Sequence, residues 1–324
     1  MENDFRKIKC PNFIRPIILG LLIGFMSCAK NPSSTLLYFE KDLIPEGIAI
    51  DPVSKKVFLN SLHKDKIVLC DLNGQNPEVF LESNQYGYLS GFGMTIVEDT
   101  LYALGNTHES QNNRSVLLLL DVVSGNLIRR YSLVSLKRTY LNDIAVDGKG
   151  RSFISDSESS RIYSINNKSQ HLELFFSDEN IAHTNGITIS DDGRFLYLAT
   201  YHSGLRVLDI ATKKLINQPN DYKGIDGLKF HNNNLIAIVN TRKDSEKNGV
   251  FQFKLNQAFS EIIASSKLVP LKNPTDIPTT FAIYDGYMYF VADSQMDLFD
   301  DTTNQINDTT KLEAYQLIRR KIDD

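Results

Sequence analysis

A pattern of two short strands recurs six times along this chain of 324 residues, and it constrains the fold more than any other feature. Each copy begins with a polar or aromatic residue, usually followed by glycine, then alternating apolar residues, a turn and a second apolar strand. The copies begin at Glu46, Phe92, Asn142, Asn185, Asp226 and Thr280. Repeats of about 40 to 50 residues indicate a repeat architecture such as a propeller, in which each repeat is one blade.

Hairpin turns and further strands indicate four strands in each unit. Turn residues separate the two strands of several copies, as in Asp147-Gly148 and Asp285-Gly286. Additional apolar segments such as 66–70 lie between the copies, and no amphipathic helix of four turns is present. The sequence therefore predicts an all-β chain, a six-bladed β-propeller with four-stranded antiparallel blades. Two β-sandwiches of three units each are the alternative.

The first residues of the six copies are expected to form a ring at the mouth of the central channel, because propeller blades are related by rotation about one axis. Four of these residues carry a carboxylate or carboxamide group: Glu46, Asn142, Asn185 and Asp226. The oxygens of such groups suit a hard divalent cation, and calcium tolerates an open ring with water positions better than magnesium does. Asn and Asp beside glycine are also ordinary turn residues, which is the alternative interpretation.

The segments around these four residues resemble the calcium-site signatures of the gluconolactonase, senescence-marker-protein (regucalcin) and paraoxonase superfamily. The resemblance spans about residues 40–296, and its segments are Pro45-Glu46-Gly47, Leu141-Asn142-Asp143, 184–190 and Ile225-Asp226-Gly227. It implies a six-bladed propeller with one calcium ion in a central pocket, hydrolysing lactones, aryl esters or phosphotriesters. It also implies that the four ring residues bind the metal and that Asp226 is a nucleophile or general base.

Two histidines are weaker candidates for a catalytic role. Paraoxonases use a histidine pair, whose first position falls here on Phe92, and only His108 stands near the second position. His183 comes two residues before Asn185 and is expected near the pocket. A lone histidine is more often a wall or capping residue, so both rank below Asp226.

The first residues of the chain resemble a bacterial lipoprotein signal. A basic region ending at Arg15 precedes the apolar run 16–26, which is too short to span a bilayer, and the small residue Ser27 and then Cys28 follow. We predict a signal peptide over 1–27, a lipid-anchored tether over 28–36 and a propeller over 37–324. The expected location is the bacterial cell envelope, facing the periplasm, with the outer membrane favoured. An ordinary signal peptide with an incidental cysteine is the alternative.

The composition excludes several classes of function. The chain has 35 basic and 39 acidic residues and a net charge of −4, which offers no basic surface for nucleic acid. Three cysteines give neither a disulfide framework nor a zinc pattern. A closed propeller has protected edges, so we expect a monomer.

Two functions of different classes fit these observations. The first is a calcium-dependent hydrolase of small-molecule lactones or esters, with an apolar wall of Phe92, Phe281 and Tyr88 facing an acyl or aryl group. The second is a non-catalytic propeller lipoprotein in which the cation is structural and the rim binds a glycan, peptide or protein. Because propellers host many functions, the fold alone does not decide between them.

Overall fold

Antiparallel hairpins follow one another along the described part of the chain. The computed structural model describes residues 33–108, 113–165, 168–169, 171–241, 247–271, 273 and 276–322, which belong to the unit 32–324. The predicted signal peptide and Cys28 lie outside the described residues. No helix within the described ranges is long and apolar enough to cross a membrane.

The strands form six four-stranded sheets, and in five of them the sheet order follows the chain. The first blade contains β2 (Ile48–Ile50), β3 (Lys56–Asn60), β4 (Ile67–Asp71) and β5 (Glu78–Leu81). The second contains β6 (Ser90–Val97), β7 (Thr100–Asn106), β8 (Asn113–Asp121) and β9 (Leu127–Ser135). The third contains β10 (Leu141–Val146), β11 (Ser152–Asp156), β12 (Arg161–Ile165) and β13 (Leu172–Ser177). The fourth contains β14 (Thr184–Ile189), β15 (Phe195–Thr200), β16 (Gly204–Asp209) and β17 (Lys214–Leu215). The fifth contains β18 (Ile225–His231), β19 (Asn234–Val239), β20 (Gly249–Leu255) and β21 (Ile262–Pro270).

The sixth blade joins the two ends of the described chain. Its sheet order is β22, β23, β26 and β1, with bounds Ala282–Tyr284, Tyr287–Val291, Gln316–Lys321 and Ser33–Leu36. Strand β1 therefore lies within the segment predicted as a tether, so the sixth blade includes Ser33–Leu36, which precede the predicted propeller boundary at residue 37. The physical reason is that the last repeat supplies three strands, and β1 pairs with the remaining edge, Leu36 opposite Gln316.

Six hydrophobic clusters fill the spaces between neighbouring blades, so the ring is closed. Strand β8 shows the principle: Leu117 and Leu119 pack toward the third blade, whereas Leu118 and Leu120 pack toward the first. Successive side chains of a strand point to opposite faces, so a run of leucines serves two interfaces. The predicted six-bladed β-propeller is confirmed, and two separate sandwiches are not formed.

The sixth blade carries an insertion between β23 and β26, residues 292–315. It contains the short hairpin β24 (Phe299–Asp300) and β25 (Gln305–Ile306). It also contains two of the four described 3-10 turns, which span Gln85–Gly87, Glu179–Ile181, Met296–Leu298 and Thr309–Lys311. Phe299 and Leu312 join the cluster between the second and third blades. The insertion therefore reaches across one end of the channel.

Candidate functional site

A β-bulge recurs at the same point of four inner strands. In β6, β10, β14 and β18, two residues of the inner strand lie opposite one residue of the second strand. The first of the two is a residue of the predicted ring in every case: Phe92, Asn142, Asn185 and Asp226. Bulges leave a residue out of the ladder and redirect its side chain, which is why they occur beside functional sites.

The bulges and the start of β2 direct the predicted ring residues to one cavity of about 780 Å³. Glu46, Asn142, Asn185 and Asp226 all line it, together with Phe92. Glu46 is 8% exposed, and its backbone oxygen accepts a hydrogen bond from Thr279 Oγ1 of the sixth blade at 2.7 Å. The structure thus brings four oxygen-bearing side chains from four blades together, as the repeat predicts.

Asp226 is oriented by a residue that sequence reasoning missed. Asn240, directly after β19, donates from Nδ2 to Asp226 Oδ2 at 2.7 Å and to the Pro278 carbonyl at 2.8 Å. Asn240 also lines the cavity. Asn240 is the last residue of the fifth repeat copy, so its position in the repeat could be seen in the sequence. Its hydrogen bond to Asp226 could not.

Asn142 is also held by a neighbour in the cavity wall. Its Nδ2 donates to Ser157 Oγ at 3.3 Å, so Oδ1 is at the opposite end of the amide. An amide oxygen is the end of asparagine that binds a cation. Ser157 lines the cavity as well.

His183 lies at the exposed rim of the cavity in a left-handed backbone conformation, with φ at 56°. Its Nδ1 contacts the Ser157 carbonyl oxygen at 2.8 Å. Because a carbonyl only accepts, Nδ1 carries the proton, and Nε2 is the basic nitrogen of the neutral ring. The ring of His202 lies 5.7 Å away, between ring centres.

His108 lines the cavity but has protein partners on both ring nitrogens. Nε2 lies 2.7 Å from Ser90 Oγ, and Nδ1 lies 3.2 Å from the Tyr140 hydroxyl. Ser90 Oγ in turn donates to the Leu62 carbonyl at 2.6 Å, so the histidine must be the donor to Ser90. In the neutral ring Nδ1 is then the acceptor nitrogen and faces the Tyr140 hydroxyl inside the protein, so His108 is less suited to take a proton from a substrate than the exposed His183.

Tyr140 connects His108 to the insertion of the sixth blade. Its hydroxyl donates to Asp301 Oδ2 at 3.1 Å, in a bond that competes with the one to His108, and it accepts from Arg138. Arg138 also pairs with Asp301 at 2.8 Å. Burial raises the pKa of Tyr140 to about 12, against the opposing effect of the Arg138 hydrogen bond. The phenol is therefore neutral at physiological pH and serves as a fixed link between wall and insertion.

The apolar wall of the cavity differs from the expected one. Phe92 lines the cavity, but Phe281 and Tyr88 are fully buried between blades and do not. Their place is taken by Phe299 and Met296 of the insertion. The insertion occurs once in the chain, so a comparison of repeats gives no sign of it.

The donor set fits calcium better than a transition metal. Within the described ranges, no three His, Cys, Asp or Glu side chains are grouped so that they could hold a metal ion. A metal in this cavity would therefore depend on the two asparagine oxygens in addition to Glu46 and Asp226. Carboxylate and amide oxygens are ligands of calcium, which also accepts water in open positions. Their role as metal ligands stays a prediction.

No family model matches the sequence, and no curated protein matches it either. Solved structures do match. A gluconolactonase from Xanthomonas campestris is 12% identical, with 90% of each chain covered and a TM-score of 0.57. Regucalcin from Agrobacterium tumefaciens, a calcium-binding protein, is 16% identical, with 90% of this chain and 96% of that chain covered and a TM-score of 0.57.

The chain shares the gluconolactonase and regucalcin fold. A glucose dehydrogenase is also similar, at 10% identity and a TM-score of 0.61, covering 90% of this chain and all of that one. Likeness at such low identity establishes the propeller and supports the sequence resemblance at the level of the fold. The chemistry has to be argued from the residues of the cavity.

Proposed function

We propose that this protein is a calcium-dependent hydrolase of lactones or esters. The observation that carries the proposal is the convergence of Glu46, Asn142, Asn185 and Asp226 on one cavity, three of them through the same bulge. Four carboxylate or carboxamide side chains at the same position of the repeat are hard to explain as turn residues alone. A turn residue does not require its side chain to line the same cavity as the equivalent residues of other blades.

The chain's own residues have separable roles in this proposal. Calcium, when bound, would polarise the carbonyl group of the substrate. Asn240 fixes the Asp226 carboxylate through Oδ2, so that Asp226 is oriented to act as nucleophile or general base. The Ser157 carbonyl fixes the tautomer of His183, whose Nε2 is the second candidate to accept a proton. Phe92 and Phe299 form the apolar side of the cavity.

The first experiment measures calcium binding and turnover together. Calorimetry on the wild-type chain is run beside a screen of γ-lactones and aryl esters with and without chelator. We expect Asp226→Ala and Asn185→Ala to lower calcium affinity and turnover together, and His108→Ala to have at most a partial effect on turnover. Asn217→Ala is the matched control, because Asn217 bonds to the backbone of β16 and does not line the cavity.

The outcomes separate the two functions. Full metal binding in both ligand variants would remove the basis of the site. Calcium binding without turnover on any substrate would favour the alternative, a recognition propeller with a structural cation.

We also propose that the protein is a lipoprotein of the bacterial cell envelope, anchored through Cys28. The support is the sequence of the first thirty residues. Labelling with a fatty-acid analogue in cells is expected to mark the wild type and to fail for Cys28→Ser. Equal labelling of both would contradict the anchor.

A further inference from the structure

One inner strand carries a charged side chain at the position that directly follows the ring residue. Four of the six blades have glycine there: Gly47, Gly93, Gly186 and Gly227. The sixth blade has the buried Phe281, and the third blade has Asp143. Asp143 is 4% exposed, so a buried carboxylate lies next to ring residue Asn142 where most blades have no side chain.

A second exception occurs two residues further along the inner strand of the fifth blade. The equivalent residues of the other blades are uncharged: Ala49, Thr95, Ala145, Thr188 and Ile283. In β18 this residue is Lys229. The register supports the equivalence, since the residue before each of these faces the second strand at the same step, as Ile144 faces Ile154 and Leu228 faces Ala237.

The two charged residues, Asp143 and Lys229, form an ion pair. Lys229 Nζ lies 3.7 Å from Asp143 Oδ2, with side-chain exposures of 21% and 5%. The carboxylate also accepts from the Ile144 amide at 2.8 Å and from the Ile187 amide at 3.4 Å. The ion pair therefore joins the third and fifth blades, and Asp143 also contacts the fourth blade between them. A buried carboxylate without a cation is strongly destabilising, so Asp143 depends on its partner.

We propose that the Lys229 ammonium is a built-in cation between the inner strands of the third and fifth blades, which compensates Asp143 and confines the metal ion to the ring. The inference deepens the proposed function, on which the ring calcium rests. With this assignment the positive and negative charges around the ring balance. The ring carries Glu46 and Asp226, a charge of −2 that one divalent cation balances, and Asp143 and Lys229 cancel. Without Lys229 the inner strands beside the ring would carry a further, uncompensated negative charge on Asp143, and a metal ion could replace the ammonium.

The test replaces the ammonium and asks whether calcium restores what is lost. Full-length wild type, Lys229→Met, Lys229→Arg and the double variant Lys229→Met/Asp143→Asn are melted in chelator and in 10 mM calcium chloride. We expect Lys229→Met to melt below wild type in chelator. We expect calcium to raise its melting temperature by about 3 °C more than it raises that of wild type, as a weak additional site would.

The other two variants are controls. Lys229→Arg keeps the positive charge, and the double variant removes both charges, so both are expected to respond to calcium as wild type does. Calorimetry is expected to show one more calcium equivalent in Lys229→Met than in wild type. An equal calcium response in Lys229→Met and wild type would overturn the inference.

The design also separates this inference from the proposed function. If wild type does not respond to calcium but Lys229→Met does, the ring site fails, whereas the compensation of Asp143 by Lys229 stands. If Lys229→Met is recovered folded only in the presence of calcium, the replacement is supported directly. If it fails to fold in both buffers while the double variant folds, calcium cannot replace the ammonium and the inference is overturned.

Discussion

Glycine follows the ring residue in four blades because the backbone of the next blade passes against it. A Cβ on Gly93 would lie 2.7 Å from the Asn142 carbonyl oxygen, and one on Gly227 would lie 2.7 Å from Thr280 Cα. A Cβ on Gly186 would overlap the backbone carbonyl of Asp226. The glycines are therefore packing residues that let neighbouring inner strands approach, and so bring the ring side chains together.

Gly186→Ala is expected to lower the free energy of unfolding by about 2 to 3 kcal/mol, because the added methyl group meets backbone rather than a flexible side chain. Denaturant unfolding measures this loss. Gly148→Ala is the matched control, since nothing lies within 4 Å of a Cβ there, and it is expected to change stability by less than about 0.5 kcal/mol. Equal stability of both variants would contradict the close approach of the fourth and fifth blades.

The backbone position of each ring residue could be predicted, whereas its hydrogen-bond partners could not. Asn142 and Asp226 occupy the same position of the repeat. Because the blades are related by rotation about one axis, residues at the same repeat position lie at equivalent places around the channel. Their partners Ser157 and Asn240 come from the loops after second strands, and loop geometry does not repeat. The bonding of His108 to Ser90 likewise joins two parts of one blade that no local pattern relates.

Elements that repeat were predicted, and elements that occur once were not. Hairpin turns and alternating apolar residues indicated the inner three strands of most blades, since both signals are local. Strand β1 was assigned to a tether because Ser33–Leu36 is short and polar, and its role depends on β26 at the other end of the chain. The insertion 292–315 has no counterpart in the other blades, although it supplies part of the cavity wall.

The end of β11 holds a buried carboxylate that couples strand and loop. Asp156 is fully buried, and its Oδ1 accepts from the amides of Tyr140 and Glu158, both at 3.0 Å. Its Oδ2 accepts from Ser159 Oγ at 2.7 Å. Burial raises the pKa of Asp156 above the ordinary value of an aspartate, against the opposing effect of these hydrogen bonds.

A raised pKa in the folded state means that protonated Asp156 favours folding. This contribution is present below the pKa of the unfolded chain and is lost as pH rises through the folded pKa. Asp156→Asn cannot ionise, so its stability relative to wild type is expected to increase between pH 4 and pH 7 in denaturant unfolding. In Asp209→Asn the sign is reversed and the change falls below about pH 4, because bonds from Thr212 lower the pKa of Asp209 beneath its ordinary value. A pH-independent difference for Asp156→Asn would contradict the assignment.

The molecule as a whole is a ring whose closing contact lies in the sixth blade. Strand β1 adds four residues to the edge of β26, and Ser34 Oγ donates to Gln316 Oε1 at 3.0 Å. The β1 side chains are exposed or half-buried, so the strand contributes backbone pairing more than apolar burial. The sixth blade also contacts the ring of candidate metal ligands, because Thr279 Oγ1 donates a hydrogen bond to the backbone oxygen of Glu46. Closure and the candidate metal site are therefore linked.

Removing β1 tests that link. A chain that begins at Leu37 is expected to melt about 5 °C below one that begins at Ser33, because several strand hydrogen bonds of about 1 kcal/mol each are lost. Hydrogen exchange should quicken at the β26 amides that face β1. It should stay unchanged in β15, whose neighbours are intact. If the first blade shifts with the sixth, calcium affinity falls as well, because Glu46 loses its fixed position. A chain without β1 that keeps both its melting temperature and its β26 protection would show that the inter-blade clusters alone close the ring.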